Sequence, residues 1–307
     1  MPYLVTGGCG FIGSHLVQQL LAAGHVVTIM DDLSNSNRDH VPEAASLIIQ
    51  DITKPGALDR IVAQVDGVFH LAAIVSVVKS TEIWLETHRV TLGGTVALLD
   101  AIARLKRAIP VVYASSAAVY GDRIGIPFKE KELCLPISAY GADKLACELH
   151  ARVGALVHGI PSVGLRFFNV YGAEQLATSP YAGVISIFMD RMQQNLPITI
   201  YGDGEQIRDY IYIHDVVRAM AAAMDKLEQK ALTQGVFNIC TGTPVSVNQL
   251  AGTVAAITGS QSTISYAASR IGDIRISLGD TELARQALGF EAKTSLQDGL
   301  EFTLEKL

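Results

Sequence analysis

Tyr3-Leu-Val-Thr6, then Gly7-Gly-Cys-Gly10-Phe-Ile-Gly13, then Ser14-His-Leu-Val-Gln-Gln-Leu-Leu-Ala-Ala-Gly24 is the run that decides the fold. Its first four residues read as a short buried strand. Apolar positions 12, 16, 17, 20 and 21 then recur at helical spacing, and Gly24 supplies a stop. The turn between them satisfies both Gly-x-x-Gly-x-x-Gly (7, 10, 13) and Gly-x-Gly-x-x-Gly (8, 10, 13). In a strand–turn–helix context this is the fingerprint of a dinucleotide site. Glycines let the backbone turn sharply and let a pyrophosphate approach the helix N-terminus, where N–H groups and the helix dipole favour an anion. Gly7, Gly10, Phe11, Ile12 and Gly13 are therefore expected to contact a cofactor.

Working outward, a second strand, His25–Met30, ends at Asp31-Asp32, 18 residues past Gly13. A carboxylate there accepts hydrogen bonds from the adenosine ribose hydroxyls and repels a 2′-phosphate, which favours NAD over NADP. Strands are expected at 3–6, 25–30, 47–50, 67–71, 111–114 and 162–166, and helices at 13–23, 84–106 and 138–158. This alternation predicts an α/β fold with a doubly wound parallel sheet of the Rossmann type. After Arg166 the rhythm loosens. Helices are expected near 180–194, 215–228, 246–258 and 281–288, with short strands near 198–201, 209–213, 236–239 and 263–266.

The chemistry is concentrated in Tyr140-Gly-Ala-Asp-Lys144 and, upstream, Ser115-Ser116-Ala-Ala-Val-Tyr-Gly121. On a helix, Tyr140 and Lys144 share a face. A phenol with pKa near ~10 is a poor base at neutral pH unless a neighbouring cation favours its phenolate, and Lys144 is expected to be that cation. The serine pair could hydrogen-bond the same substrate oxygen.

With these motifs in view, the chain resembles the extended short-chain dehydrogenase/reductase family, in its NAD-dependent nucleotide-sugar epimerase/dehydratase branch. The likeness runs through Gly7–Gly13, Asp31, Asp51-Ile52, Phe69-His-Leu-Ala-Ala73, Ser115–Gly121 and Tyr140–Lys144. It continues through Arg166-Phe-Phe-Asn-Val-Tyr-Gly172, Tyr201-Gly-Asp-Gly-Glu-Gln-Ile-Arg-Asp-Tyr210 and Arg270-Ile-Gly-Asp273. The resemblance implies an NAD-binding domain over 1–168 and a smaller mixed α/β substrate domain over 169–307, with segments near 209–240 returning to the first. It adds Asp51, Ile52, Leu71, Ala72, Ala73 and Ser115 to the cofactor contacts. Tyr140 is implied as the base that takes a sugar hydroxyl proton, Lys144 as its electrostatic partner and ribose ligand, and Ser116 as the proton shuttle. Arg208, Arg270 and Asn169 are implied as diphosphate ligands, with Asp273 beside them, and Val184, Thr199 and Tyr201 as the cradle for uracil. Relatives dimerise through two helices that correspond to about 84–106 and 138–158, so a homodimer is expected.

Position-specific departures narrow the reaction. Dehydratases of the family carry an Asp-Glu pair where this chain has Ala117-Ala118, and decarboxylases keep a Glu in that stretch. Without a second acid or base, a 4-keto sugar is expected to take its hydride back on the other face. That is 4-epimerisation of a UDP-hexose, with UDP-uronic acid 4-epimerisation or another 4-keto-forming nucleotide-sugar reaction of the family as the alternative and a non-catalytic NAD sensor as the remote one. Ser277 stands where glucose/galactose-restricted relatives carry a tyrosine, so space for an N-acetyl group is expected. Two further departures bear on cofactor grip: Thr91-Leu-Gly-Gly-Thr95 lacks the family's usual asparagine, and Val75 replaces a lysine. A net charge of −6 over 307 residues offers no basic surface for nucleic acid. No apolar run reaches the ~20 residues of a membrane helix, and no secretory leader fits ahead of the first strand. Four cysteines without metal-like spacing (9, 134, 147, 240) read as reduced thiols, so neither a metal nor an oxidising compartment is expected and the cytoplasm is.

Overall fold

The computed structural model describes residues 1–306 apart from 37, 39, 40, 76, 124, 176–182 and 270–272. The N-terminal half alternates as expected, in the order β1 (Pro2–Thr6), α1 (Phe11–Ala22), β2 (Val26–Asp31), β3 (Ser46–Ile49), α2 (Asp59–Val62), β4 (Gly67–His70), α3 (Val77–Glu82), α4 (Trp84–His88), α5 (Gly94–Leu105), β5 (Val111–Ser116), α6 (Ala139–His158) and β6 (Ser162–Phe167). Then follow β7 (Asn169–Tyr171), α7 (Val184–Gln193), β8 (Ile198–Tyr201), β9 (Ile207–Arg208), β10 (Tyr210–Tyr212), α8 (Ile213–Glu228), β11 (Gln234–Ile239), β12 (Val245–Ser246), α9 (Val247–Thr258), β13 (Ile264–Ala267), β14 (Ile276–Ser277), α10 (Glu282–Leu288) and α11 (Leu296–Leu304).

Among the described residues, seven strands form one sheet in the order β11-β6-β5-β4-β1-β2-β3, with every neighbouring pair parallel. Parallel strands buried on both faces need continuous apolar runs. Leu4, Val5, Val68, Phe69, Val111, Val112, Val163 and Leu165 supply them at full or near-full burial. The chain starts at β1, winds outward through β2 and β3, then returns to β4 and proceeds the other way. The reversal between β1 and β4 opens a crevice at the carboxyl ends of the strands, where such sheets bind ligands. The β11 strand, contributed from well beyond residue 168, pairs with β6 over Gln234–Ile239, and α8 packs against α1.

The segment 84–106, expected as one helix, is interrupted by a π-helical turn at Arg89–Gly93. Side-chain volume is excluded at Gly94, because a Cβ there would fall 2.4 Å from Ile52 Cδ1. The smaller sheets of the later half pair short strands: β7 with β10, β9 with β12 and β14, and β8 with β13.

Candidate active site

All the N-terminal motifs converge on the carboxyl edge of the sheet, since parallel strands place their ends together. The α1 helix starts at Phe11 with Gly10 as its N-cap and no side-chain cap, which leaves its first turn open to an anion. Gly13 is a position where only glycine fits: a Cβ there would lie 2.3 Å from the Gly7 carbonyl oxygen. At the end of β2, Asp31 accepts hydrogen bonds from the backbone N–H of Cys9 at 3.0 Å and of Leu33 at 2.9 Å, and from the Ser36 hydroxyl at 2.8 Å. Its carboxylate is thus pinned beside the glycine turn with acceptor capacity remaining for a ribose hydroxyl. Asp32 turns to solvent and accepts from Ser34 N–H at 3.0 Å.

After β4, Leu71 N–H donates to the Thr6 carbonyl at 3.0 Å, which draws Leu71, Ala72 and Ala73 across the crevice floor. Asp51 accepts from Thr53 N–H at 2.8 Å, from the Thr53 hydroxyl at 2.7 Å and from Arg89 Nη1 at 2.9 Å. Burial alone would raise its carboxyl, but the Thr53 bonds and Arg89 hold it below the ordinary range. Ile52 is buried against the π-helical turn. Glycine cradle, uncapped helix start and pinned acidic residue together fit a dinucleotide with free ribose hydroxyls.

Ser138 caps α6, accepting from Gly141 N–H at 3.1 Å, so Tyr140 lies in the first turn. Gly141 lets the turn after β5 close onto this helix, because a Cβ there would meet the Ala118 carbonyl at 2.6 Å. That approach brings the Ser116 hydroxyl towards the Tyr140 phenol. Lys144 Nζ lies 5.8 Å from the Tyr140 ring centroid and donates to the Ala114 carbonyl at 2.7 Å.

Burial dominates the electrostatics of this pair. It pushes the Tyr140 phenol up to about 12, with the Ser116 hydroxyl pulling the other way. Burial likewise lowers the Lys144 ammonium, against the upward pull of Cys147, Asp143 and Glu148. Lys144 directs one N–H at the Ala114 carbonyl, and burial is the largest influence on the phenol. Ser115 lies differently from expectation. Its side chain, 2% exposed, donates to Glu148 Oε1, which leaves its main chain as what it can present to a cofactor.

On the substrate side, β-registers assemble residues far apart in sequence. Asn169 pairs with Tyr210, and Ser277 pairs with Arg208. Arg208 Nη2 donates to Asp273 Oδ1 at 2.5 Å and Nη1 to the Ile207 carbonyl at 2.8 Å. Ser277 is 8% exposed. Val184 opens α7, and Thr199 and Tyr201 lie on β8, where Thr199 bonds Ser265 across to β13 at 3.1 Å. Arg270 lies outside the described residues.

Two residues not anticipated from the sequence join this group. Among the described residues, the buried Tyr210 hydroxyl and Gln206 Oε1 have no hydrogen-bond partner, while Gln206 Nε2 donates to the Tyr201 carbonyl at 2.9 Å. Buried polar atoms are normally satisfied, so both are available to a ligand. No local sequence pattern marks them, since Gln206 precedes β9 and Tyr210 opens β10.

Against known proteins, residues 3–240 match the NAD dependent epimerase/dehydratase family. The chain belongs to that family. A putative UDP-glucose 4-epimerase of Methanocaldococcus jannaschii is 33% identical over 97% of this chain and 95% of its own length. The solved UDP-glucose 4-epimerase of Thermotoga maritima, with UDP-glucose, superposes with a TM-score of 0.95 at 36% identity, covering 100% of this chain and 98% of that one. The UDP-N-acetylglucosamine 4-epimerase of Methanobrevibacter ruminantium, in complex with UDP-N-acetylmuramic acid, gives 0.93 at 32%, covering 99% and 97%.

Proposed function

We propose that this protein is an NAD-dependent UDP-hexose 4-epimerase that interconverts gluco and galacto UDP-sugars through a 4-keto sugar. The observation that carries the reading is the convergence of Ser116, Tyr140 and Lys144 beside a glycine cradle, with Ala117 and Ala118 where an eliminating acid–base pair would stand. Residues 7–13, Asp31 and the 71–73 segment would hold the cofactor. When bound, NAD would supply the hydride acceptor and a positively charged ring. Tyr140 takes the proton of the 4-hydroxyl, Ser116 bridges that hydroxyl to the phenol, and Lys144, fixed by the Ala114 carbonyl, has N–H groups left for ribose hydroxyls. Arg208 releases Asp273 or shares it as it takes up the diphosphate, and Asn169 adds a neutral donor. Ser277 leaves room next to the sugar for an N-acetyl group. In this reading residues 1–168 chiefly bind NAD and 169–307 the UDP-sugar.

A homodimer completes the proposal. Trp84 and Leu85 of α4 and Leu149, Val153, Leu156 and Val157 of α6 are exposed at 51% or more. They form an apolar face that a second copy would cover. The cysteines are free thiols, in keeping with a reducing, cytoplasmic setting, and no helix among the described residues is long and apolar enough to cross a membrane.

Proton NMR of the purified protein with UDP-N-acetylglucosamine and, separately, UDP-glucose tests the reading. Galacto-type anomeric signals are expected from both. Product from UDP-glucose alone would remove the pocket-size argument; no product from either, with NAD supplied and UDP-glucuronate converted, would move the reaction to the uronates.

A further inference from the structure

Glu148 and Arg166 take no part in the proposed chemistry, yet with the Ser115 hydroxyl they join every element that carries it. Ser115 and Ser116 are successive residues of β5, so their side chains leave opposite faces of the strand. Ser116 meets Tyr140. Ser115 donates to Glu148 Oε1 at 2.5 Å. Glu148 lies on α6, four residues beyond Lys144 and eight beyond Tyr140, so base, cation and carboxylate share one helical stripe.

From β6, Arg166 grips that carboxylate with two hydrogen bonds: Nε to Oε1 at 2.8 Å and Nη2 to Oε2 at 2.7 Å, with the side chains 5% and 6% exposed. Arg166 Nη1 also donates to the Tyr120 hydroxyl at 2.9 Å, just past the turn that follows Ser116. A buried ion pair of this kind adds little net stability over apolar residues of the same volume, so stability does not account for its place here. Its geometry does: it ties the two ends of the Ser116–Tyr140 contact, β5 with its turn on one side and α6 on the other, to a common anchor.

We infer that Ser115, Glu148 and Arg166 form a positioning node that fixes the Ser116 hydroxyl against the Tyr140 phenol. The inference rests on the proposed roles of Tyr140 and Ser116 and extends them to groups that touch neither sugar nor hydride. Catalytic geometry is sensitive at this level, since a displacement of ~1 Å can cost ~10²-fold in rate.

A double-mutant cycle tests it. Ser115→Ala removes one hydroxyl and keeps the Glu148–Arg166 pair, so the variant retains its folded anchor. Its kcat is expected to fall about tenfold with KM changed less than about twofold. Because the node acts through Ser116, Ser115→Ala/Ser116→Ala is expected to be no slower than Ser116→Ala alone. Val254→Ala, in the core of α9, serves as a variant that lowers Tm without altering kcat. Wild-type kcat in Ser115→Ala, losses that multiply in the double variant, or an equal kcat loss in Val254→Ala at matched Tm would each overturn the node. A wild-type rate in Ser116→Ala would instead overturn the catalytic assignment beneath it.

Discussion

Tyr140→Phe deletes a single oxygen from a side chain that is 9% exposed, and so separates chemistry from architecture. Turnover is expected to fall by about 10²–10⁴-fold, the usual reach of a general base, while NAD released on denaturation stays stoichiometric. Loss of NAD in that variant would make the tyrosine structural. At Ser277, the pairing with Arg208 places a small residue beside the arginine proposed to take up the diphosphate. Ser277→Tyr is expected to cut turnover of UDP-N-acetylglucosamine at least about tenfold relative to UDP-glucose, because a filled pocket rejects the larger substituent; an unchanged ratio in competition assays would show that another wall sets the size. Tyr140 and Lys144 were legible as a pair because one helical turn separates them. The elevated phenol was not, because burial is a property of everything packed around it. Gln206 and Tyr210 escaped for a related reason: an unpartnered atom is recognisable only once its possible partners are in place.

The π-helical turn between α4 and α5 shows how elements depart from local preference. Hydrophobic spacing over 84–106 predicts one helix, whereas a π-helical turn at Arg89–Gly93 interrupts it and Gly94 packs against Ile52. Next to it, His70 braces β4 against β1 and α5. Leu71 N–H donates to Thr6 Oγ at 3.2 Å, Thr6 Oγ and His70 Nδ1 share a hydrogen bond at 2.7 Å, His70 Nε2 and Thr95 Oγ share one at 3.0 Å, and the Thr95 hydroxyl reaches the Thr91 carbonyl at 2.8 Å. The imidazole is neutral, with burial first and the Lys144 charge second lowering its pKa from 6.5 to about 3. Between those values the unfolded chain holds the extra proton, so stability falls as pH falls, by about 1.4 kcal/mol per pH unit. Urea unfolding at pH 7 and pH 4 is expected to differ by about 3 kcal/mol less in His70→Gln than in the parent. Equal pH dependence in the two proteins would place acid lability elsewhere. Thr6, His70 and Thr95 are spread over ninety residues, and nothing local in the sequence links them.

At the scale of the whole molecule, the apolar residues of α4 and α6 point outward although α6 also carries Tyr140. Leu149 and Val153, which helical spacing alone leaves open as core or interface, are 57% and 51% exposed. Sedimentation is expected to show a dimer, and Val153→Asp combined with Leu156→Asp a monomer, since two desolvated carboxylates cannot be buried at an interface without partners; a parent protein that sediments only as monomer would leave this face without an occupant. The sequence by itself determined the doubly wound sheet, the glycine turn, the acidic end of β2 and the Tyr140–Lys144 face, because each is written in residues within one strand, turn or helix of each other. The tertiary structure alone decided the two-residue strands that align Ser277 with Arg208, the Arg208–Asp273 pair across 65 residues, and the anchoring of Ser115 to Glu148 and Arg166. It also decided the balance of burial against charge at Tyr140. These depend on contacts between distant segments, and their energies are set by the partners and dielectric that only the assembled fold supplies.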